Sequence, residues 1–261
     1  MDRKKIKTTG RGRRQNKKTS PRLRFFFFLF FLVASGIAIY FILSLPIWKI
    51  EVITVDGANL LSSDEIRDLC GIPLSENLFM TSFARARSNL KKIAAIREFH
   101  FYRIPPGTVL IRIRERKPIA VIVFKNRSVV IDDEGYILNR NPNLSFNVPN
   151  LTDLPVVSGV QSEEAISAEK IDPAYSQVVK DIISELASLF GARRIHLDIG
   201  AFQNISLLLD DILRVKIGRG ENIRRKMEVF KALLPVINNQ WAQVEYVDVR
   251  FPDNPVILPK R

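Results

Sequence analysis

The pattern of apolar and polar residues changes sharply after residue 45. Residues 25–45 form an uninterrupted stretch of 21 residues that contains no charged side chain. As a helix that rises about 1.5 Å per residue, this stretch spans about 30 Å, the thickness of the hydrocarbon layer of a membrane. The pattern predicts one membrane-spanning helix at residues 25–45, with a short tail, 1–24, on one side and a folded region on the other.

Residues 46–118 contain short patterns of two kinds. Alternating apolar residues, many of them β-branched, predict strands at 48–55, 98–104 and 108–114. The last two strands flank a Pro-Pro-Gly turn and form a predicted hairpin. Apolar residues three or four positions apart predict two helices between the first and second strands, one beginning at the Ser62–Glu65 capping box and one covering 82–96. The predicted order is strand–helix–helix–strand–strand.

Beyond Pro118, strands alternate with two longer helices. The predicted strands cover 119–124, 128–131, 195–199, 205–209, 213–217, 244–251 and 256–258. One helix begins at Asp172-Pro173, where a capping residue precedes a proline at the first helical position, and ends at Gly191. The other helix follows Gly220, and Pro235 kinks or closes it. The stretch 139–159, which is rich in Asn and Pro, is predicted to be a loop.

Positive charge is concentrated in the tail. Residues 1–24 hold eleven Lys/Arg and one acid, so they carry +10 of the net charge of +13. Because positive residues beside a span stay in the cytoplasm, we expect the N-terminus inside and the folded region outside. A signal peptide cleaved near 34–36 is the alternative, although nine mostly apolar residues follow that site. The folded region is nearly balanced in charge, so the basic total is poor evidence for a nucleic-acid-binding domain. The tail is either a topology signal or a site for DNA or anionic lipid.

Residues typical of catalytic or metal sites are few and dispersed. His100 and His196 are the only histidines, and they lie in predicted strands of different regions. Two separated imidazoles make a poor metal site, and Cys70 lies in an apolar helical pattern typical of a buried thiol. The Gly-Arg-Gly at 218–220 is interpreted as a turn before a helix. We predict no enzymatic activity, cofactor or metal. A pocket joining either histidine to two carboxylates would reopen the enzyme hypothesis.

The C-terminal strand lies among prolines. Pro252, Pro255 and Pro259 each lack an amide donor, so residues 256–258 are poorly suited to the middle of a sheet and are predicted to form an edge. An edge strand has free main-chain groups that can accept a strand from another chain. The alternative is an edge that the same prolines shield from any partner. The residues alone leave both interpretations open.

Six blocks of sequence resemble, in order, signatures of the FtsQ/DivIB family of bacterial cell-division proteins. They are Val52–Ala58 (VITVDGA), Tyr102–Ile119 (YRIPPGTVLIRIRERKPI), Val130–Leu138 (VIDDEGYIL), Leu154–Gly159 (LPVVSG), Ile217–Phe230 (IGRGENIRRKMEVF) and Tyr246–Phe251 (YVDVRF). Each block is short. In register behind a basic tail and one span, they cover nearly the whole chain from residue 25.

The resemblance implies a fold and a location. The fold is α+β: a basic cytoplasmic tail at 1–24, a single N-terminal transmembrane helix at 25–45, a POTRA domain of β-α-α-β-β order at 46–118, and an FtsQ-type β domain at 119–261. The β domain is a mostly antiparallel sheet with flanking helices. The implied location is the division septum, as a single-pass type II protein of the cell inner membrane with both domains in the periplasm.

The resemblance also implies a function. Family members are non-enzymatic scaffolds of the divisome that bind FtsB and FtsL and help to recruit and regulate septal peptidoglycan synthesis. They hold FtsB by strand addition at the C-terminal edge, and the POTRA domain contacts other divisome proteins. The matching partner-binding residues here are Tyr246, Val247, Asp248, Val249, Arg250, Phe251, Val256, Ile257 and Leu258.

This chain departs from the family pattern at its C-terminal edge. The sequence PDNP at 252–255 replaces the usual Gly-containing turn, and the aromatic residue often found after the edge strand is missing. The alternative function is that of another POTRA-bearing protein of envelope transport or assembly. Such chains usually continue into a barrel or repeat the POTRA unit.

Overall fold

The computed structural model describes residues 21–260 except 126, 149–150, 161–168, 191–193, 201–202 and 238–239. The chain divides into two compact units, Met1–Trp48 and Lys49–Arg261. Most of the basic tail, residues 1–20, lies outside the described residues, so the expectations for it stay predictions.

The first unit contains helix α1, Pro21–Leu43. The part from Arg24 to Leu43 is long and apolar enough to cross a membrane. A short 3-10 turn, Pro46–Trp48, follows, and the indole of Trp48 donates to the carbonyl of Ile42 at 2.7 Å. This bond satisfies one of the carbonyls left free at the helix end. The prediction of a strand from residue 48 is wrong at its start, because this turn occupies 46–48.

The second unit begins with a small mixed region that has the predicted order of elements. It contains β1 Val52–Asp56, α2 Ser63–Cys70, α3 Ala84–Leu90, β2 Ile96–Ile104 and β3 Thr108–Glu115. The sheet order is β1-β3-β2, with β1 parallel and β2 antiparallel to β3. Helix α2 packs on β1 and on α3. The apolar side chains that face the helices, including Ile111 and Ile113, are buried.

Local sequence signals explain where the first two helices of this unit begin and end. The Ser62 hydroxyl and the Glu65 carboxylate form the predicted capping box of α2, and Gly71 ends the helix with a φ of 54°. Helix α3 is shorter than the predicted 82–96. From Lys92 onward the amides bond three residues back rather than four, as when Ile93 donates to Leu90, so the chain leaves the α-helix there.

Burial has a chemical effect at the end of α2. The side chain of Cys70 is 1% exposed, and this burial raises the pKa of its thiol to about 11. The thiol is therefore protonated at neutral pH. The prediction of a buried thiol is confirmed.

The remaining strands form one eight-stranded sheet. They are β4 Pro118–Phe124, β5 Arg127–Asp132, β6 Val156–Ser158, β7 Ile195–Asp198, β8 Ile205–Leu209, β9 Leu213–Gly218, β10 Val244–Asp248 and β11 Val256–Pro259. Their order is β11-β10-β9-β8-β7-β6-β4-β5. Four of the seven neighbouring pairs are antiparallel, and β4–β6, β6–β7 and β9–β10 are parallel.

Two predictions for this sheet are wrong. The stretch 139–159 was expected to be a loop, yet it contains β6, which pairs on both sides with β4 and β7. A run of three residues is too short to show a period of two, and its neighbours supply the pairing. Strand β10 ends at Asp248 rather than at 251, because Asp248 binds Arg250 in a local turn.

Helices α4, Pro173–Phe190, and α5, Ile223–Ile237, cover one face of this sheet and pack on each other. Asp172 caps α4 as predicted, its carboxylate accepting from the amide of Ala174 at 2.8 Å. Pro235 lies within the last turn of α5, so the helix continues to Ile237 despite the missing amide. The core between helices and sheet includes Ile122, Leu197, Leu207, Val215, Ile182, Leu186 and Phe230, all fully buried.

A cluster of charged groups joins the two sheets of the second unit. The Arg116 guanidinium lies 2.7 Å from the Asp132 carboxylate and 3.1 Å from that of Glu134, and it stacks on the ring of Tyr136 at 3.5 Å. Asp132 is 1% exposed and Arg116 10%. The Arg116 hydrogen bond lowers the pKa of Glu134. Because the pair is shielded from water, removing one partner would leave a buried charge without compensation.

The segment after β5 also contacts the region of α2. The amide of Ser145 donates to the Glu65 carboxylate at 2.8 Å, and the amide of Asn147 donates to the Leu60 carbonyl at 2.8 Å. The Ser145 amide lowers the pKa of Glu65. Glu65 thus both closes the capping box of α2 and holds a segment that belongs to the larger sheet region.

Candidate partner-binding edge

Strand β11 lies at one end of the eight-stranded sheet, with β10 as its only neighbouring strand in the described part of the chain. The two strands are antiparallel, and their register pairs Tyr246 with Leu258, Val247 with Ile257 and Asp248 with Val256. The predicted partner-binding residues are therefore brought together, in two adjacent strands and the turn between them. Whether they bind a partner stays a prediction.

The side chains of these residues face in two directions. Val247 and Val249 are fully buried in the core, and Ile257 packs against that core. The pairs Tyr246–Leu258 and Asp248–Val256 place their side chains on the opposite face, where Val256 is 50% exposed. Phe251, in the turn, is 68% exposed. Val247 and Val249 therefore support the edge from inside, while Val256 and Phe251 present apolar surface to solvent.

Arg250 and Asp248 form the ion pair at the end of β10. The guanidinium donates to both carboxylate oxygens, to Oδ1 at 3.0 Å and to Oδ2 at 2.6 Å, and the Arg250 amide also donates to Oδ1 at 3.0 Å. Burial by itself raises the pKa of Asp248, but the hydrogen bonds and the charge of Arg250 outweigh it, so the pKa lies below its usual value. The pair closes the end of β10 and fixes the direction in which the turn leaves.

The sequence did not predict two contacts made by β9, one of Gly218 with Arg250 and one of Lys216 with Tyr246. Gly218 has a φ of 72°, and a Cβ there would lie 2.8 Å from the Cγ of Arg250, so only glycine leaves room for that side chain. The Lys216 ammonium lies 3.4 Å from the centre of the Tyr246 ring. The Gly-Arg-Gly pattern indicated a turn at Gly218, but the contact with Arg250 depends on the order of strands in the sheet, which a local pattern does not contain.

Main-chain hydrogen bonds show which groups of β11 face outward. The Val249 amide donates to the Lys216 carbonyl in β9, so Asp248 and Tyr246, one and three residues before it, turn their main-chain groups toward β11. The Lys260 amide donates to the Gln243 carbonyl at 2.7 Å, in the same alternation. The even-numbered residues of β11 therefore bond to β10. The groups that point away from the sheet belong to Ile257 and Pro259, and the same alternation extended by one residue places those of Pro255, just before β11, on that side.

The outward edge thus contains three carbonyl acceptors and one amide donor. Proline has no N–H, so among these three residues only Ile257 can donate. Pro255 and Pro259 occupy the positions where a missing amide costs the sheet nothing, because those positions do not bond to β10. The edge can accept hydrogen bonds along its length and can return one.

The face of the sheet opposite the helices contains a polar groove of about 560 Å³. His196 and Ser158 meet in it at 3.0 Å, and Asp198 accepts from the Gly200 amide at 2.9 Å. Arg214 and Lys216 line its basic side. Among the described residues that line the groove, His196 is accompanied by one carboxylate rather than by two. Within the part of the chain that the structure describes, there is no group of three His, Cys, Asp or Glu that could hold a metal ion.

The family comparisons agree with this architecture. Residues 48–116 match the family described as POTRA domain, FtsQ-type, and residues 120–250 match the family described as Cell division protein FtsQ/DivIB, C-terminal. The DivIB extracytoplasmic domain of Geobacillus stearothermophilus aligns over 48% of this chain and 95% of its own, with 14% identity and a TM-score of 0.28. That superposition is too distant for a comparison of single elements.

Individual relatives are also cell-division proteins. FtsQ of Koribacter versatilis is 22% identical over 79% of this chain and 58% of its own length. DivIB of Clostridium tetani is 24% identical over 82% of this chain and 81% of its own. FtsQ of Corynebacterium glutamicum is 30% identical over 58% of this chain and 72% of its own. The chain therefore belongs to the FtsQ/DivIB family of bacterial cell-division proteins, with an FtsQ-type POTRA domain followed by the family's C-terminal domain.

Proposed function

We propose that this protein is a non-enzymatic scaffold of the bacterial division machinery that holds a partner by strand addition at β11. The proposed partners are FtsB and FtsL, and the proposed outcome is recruitment and regulation of septal peptidoglycan synthesis. The POTRA domain contacts other divisome proteins. Family membership supports the role in division, and the open edge of β11 supports the mode of binding.

The proposed organisation follows from the same observations. Residues 1–24 form a cytoplasmic tail, 25–45 span the inner membrane, and the POTRA domain at 46–118 and the β domain at 119–261 lie in the periplasm at the septum. The apolar helix and the basic residues before it support this orientation.

The single observation that carries the binding mode is the position of Ile257. Its amide and carbonyl point away from the sheet, and it is flanked by the outward carbonyls of Pro255 and Pro259. A partner strand that lies antiparallel to β11 would form a reciprocal pair of bonds at Ile257 and donate to both proline carbonyls. These main-chain bonds would supply affinity, while the exposed side chains of Val256 and Phe251 would supply selectivity.

The test replaces Ile257 with proline in the full-length, detergent-solubilised protein and measures co-purification with FtsB and FtsL. The Ile257 amide does not bond to β10, so I257P leaves that ladder intact. It removes the outward donor and also replaces an apolar side chain that packs against the core, so urea unfolding of I257P accompanies the capture assay. We expect capture to weaken by about tenfold or more, because one bond is lost and the ring obstructs the strand beside it. The matched control, I257V, keeps the amide and should capture as the parent does. Equal capture by I257P and I257V would exclude this edge.

A further inference from the structure

We propose that Pro255 and Pro259 make β11 selective: they prevent the edge from pairing with a second copy of itself and restrict it to a strand that supplies amide donors. This inference rests on the proposed function for the identity of the partner site. Its first part, the exclusion of self-pairing, depends only on the geometry of β11 and can be tested without a partner.

Donor counting explains the exclusion. Among the described residues from Pro255 to Lys260, each copy turns three carbonyls and one N–H outward, the N–H being that of Ile257. Two copies side by side therefore share at most two donors, whatever their register, and form at most two hydrogen bonds. With Ile257 opposite Ile257, each Pro255 carbonyl faces a Pro259 carbonyl and neither has a donor. Carbonyls that give up water without finding a partner oppose association.

A different strand meets no such limit. If it donates amides at three alternate positions, it satisfies the carbonyls of Pro255, Ile257 and Pro259 and receives the Ile257 amide in return. The segment that binds must therefore lack proline at those three positions. Its intervening positions are free of this requirement, because their main-chain groups face away from β11.

Edge strands are commonly protected by charge or by short length, which keeps all strands away. The prolines of β11 act differently. They remove donors at two outward positions and leave the acceptors in place, so the edge stays open to a complementary strand. The exposed apolar side chains of Val256 and Phe251 lie beside an edge that would otherwise favour self-association.

The experiment is a double substitution, P255A/P259A, in the full-length protein in detergent micelles, with self-association measured by sedimentation equilibrium. The substitutions add two outward amides per copy. When two copies lie antiparallel with Ile257 opposite Ile257, they can then form six hydrogen bonds instead of two. We expect self-association to strengthen by about tenfold or more relative to the parent. The control is P252A, which changes a proline of the preceding turn that is outside the outward ladder.

Two further variants make the result specific to the edge. Adding I257P to the double variant should restore the parent's self-association, because it removes the central donor and obstructs the pairing. P259A alone adds one donor per copy and should give an intermediate effect; it also serves if the double variant does not fold. If P255A/P259A, or P259A in its place, associates no more strongly than P252A, the inference is wrong.

The result is independent of the test of strand addition. If I257P still captures FtsB, the site of partner binding is elsewhere, and the self-association of P255A/P259A still reports on the prolines. If instead partner capture depends on Ile257 but P255A/P259A does not self-associate, strand addition stands and the role of the prolines is refuted.

Discussion

Strands β2 and β11 are both sheet edges, but they expose different main-chain groups. The Val52 amide donates to the Gly107 carbonyl, so β3 turns its odd-numbered residues toward β1 and its even-numbered residues toward β2. The register of β2 with β3 then leaves outward amides at Arg97, Phe99, Phe101 and Arg103. Strand β2 has nine residues without proline, whereas β11 has four and turns one amide outward.

We infer that the two edges are protected by different means. Along β2 we expect side chains to supply the protection: the Arg103 guanidinium donates to the carbonyls of Leu78 and Thr81 at 2.6 and 2.8 Å and lies 4.4 Å from the Phe83 ring. Along β11 it is in the main chain, as the missing amides of two prolines. Side-chain protection can be changed by mutation or salt and applies to any approaching strand. A missing donor is insensitive to salt and discriminates between strands.

The largest expected effect comes from separating the two sheets that carry these edges. Replacing Arg116 with methionine leaves the buried Asp132 without its guanidinium, so we expect a loss of about 3 kcal/mol in the free energy of unfolding. The matched control is R114M, two residues away, whose pair with Glu98 is more than half exposed and should cost below about 1 kcal/mol. Urea unfolding of the full-length protein in micelles, followed by tryptophan fluorescence, measures both. Equal losses would show that the junction is not held by this pair.

The next effect concerns the side-chain protection of β2. Replacing Arg103 with alanine removes two hydrogen bonds from a charged group and its contact with Phe83, which should cost about 2 kcal/mol. The same variant should self-associate more strongly in sedimentation experiments, because the outer amides of β2 become accessible. R85A, at an exposed position of α3, is the control and should change neither quantity. An R103A protein that is destabilised but no more associated would mean that β2 is protected by another group.

Low pH should have a smaller effect on stability, through the protonation of Asp248 at the end of β10. Because the pKa of Asp248 is lower in the folded protein than its ordinary value of 3.8, its contribution to stability is complete above that value and is lost as the pH falls through the lower, folded pKa. Arg250 is 43% exposed, so we expect a contribution below about 1 kcal/mol. D248N should lose this part of the pH dependence between about pH 5 and pH 2, whereas D253N, in the adjacent turn, should keep it. Superimposable pH profiles for D248N and the parent would contradict the assignment.

The smallest effect is that of salt on the surface of the β2 sheet. Glu98 and Arg114 form an exposed cross-strand pair, so E98Q should cost about 0.3 kcal/mol at low ionic strength and nothing measurable at 1 M salt. The edge of β11 should show no corresponding dependence, since its selectivity lies in main-chain donors. Parallel unfolding series at low and high salt measure the difference. A loss for E98Q that persists at 1 M salt would rule out screening as its explanation.

Local signals predicted much of the fold. The capping box at Ser62 and Glu65, the Asp172-Pro173 helix start and the hairpin around Pro105 all depend on residues a few positions apart, and all are present in the structure. The prolines near β11 correctly indicated an edge, because an edge tolerates missing amides.

What the sequence could not predict depends on contacts between distant segments. Strand β6 is too short to show a period and exists because β4 and β7 pair with it on either side. The contact of Arg116 with Asp132 and the space that Gly218 leaves for Arg250 depend on how segments far apart in the chain are packed. At β11, sequence reasoning left shielding and pairing as alternatives. The alternation of main-chain bonds shows that the two are compatible, because the prolines remove donors and leave acceptors.

The sulfur of Cys70 provides a natural probe of motion. A thiol with a pKa of about 11, only 1% exposed, hardly reacts with maleimides or disulfides while α2 stays in place. It is the single cysteine of the chain, so any labelling has one origin. The rate at which an alkylating reagent modifies the native protein therefore reports how often that helix detaches. A ligand that slows the modification must stabilise the POTRA domain.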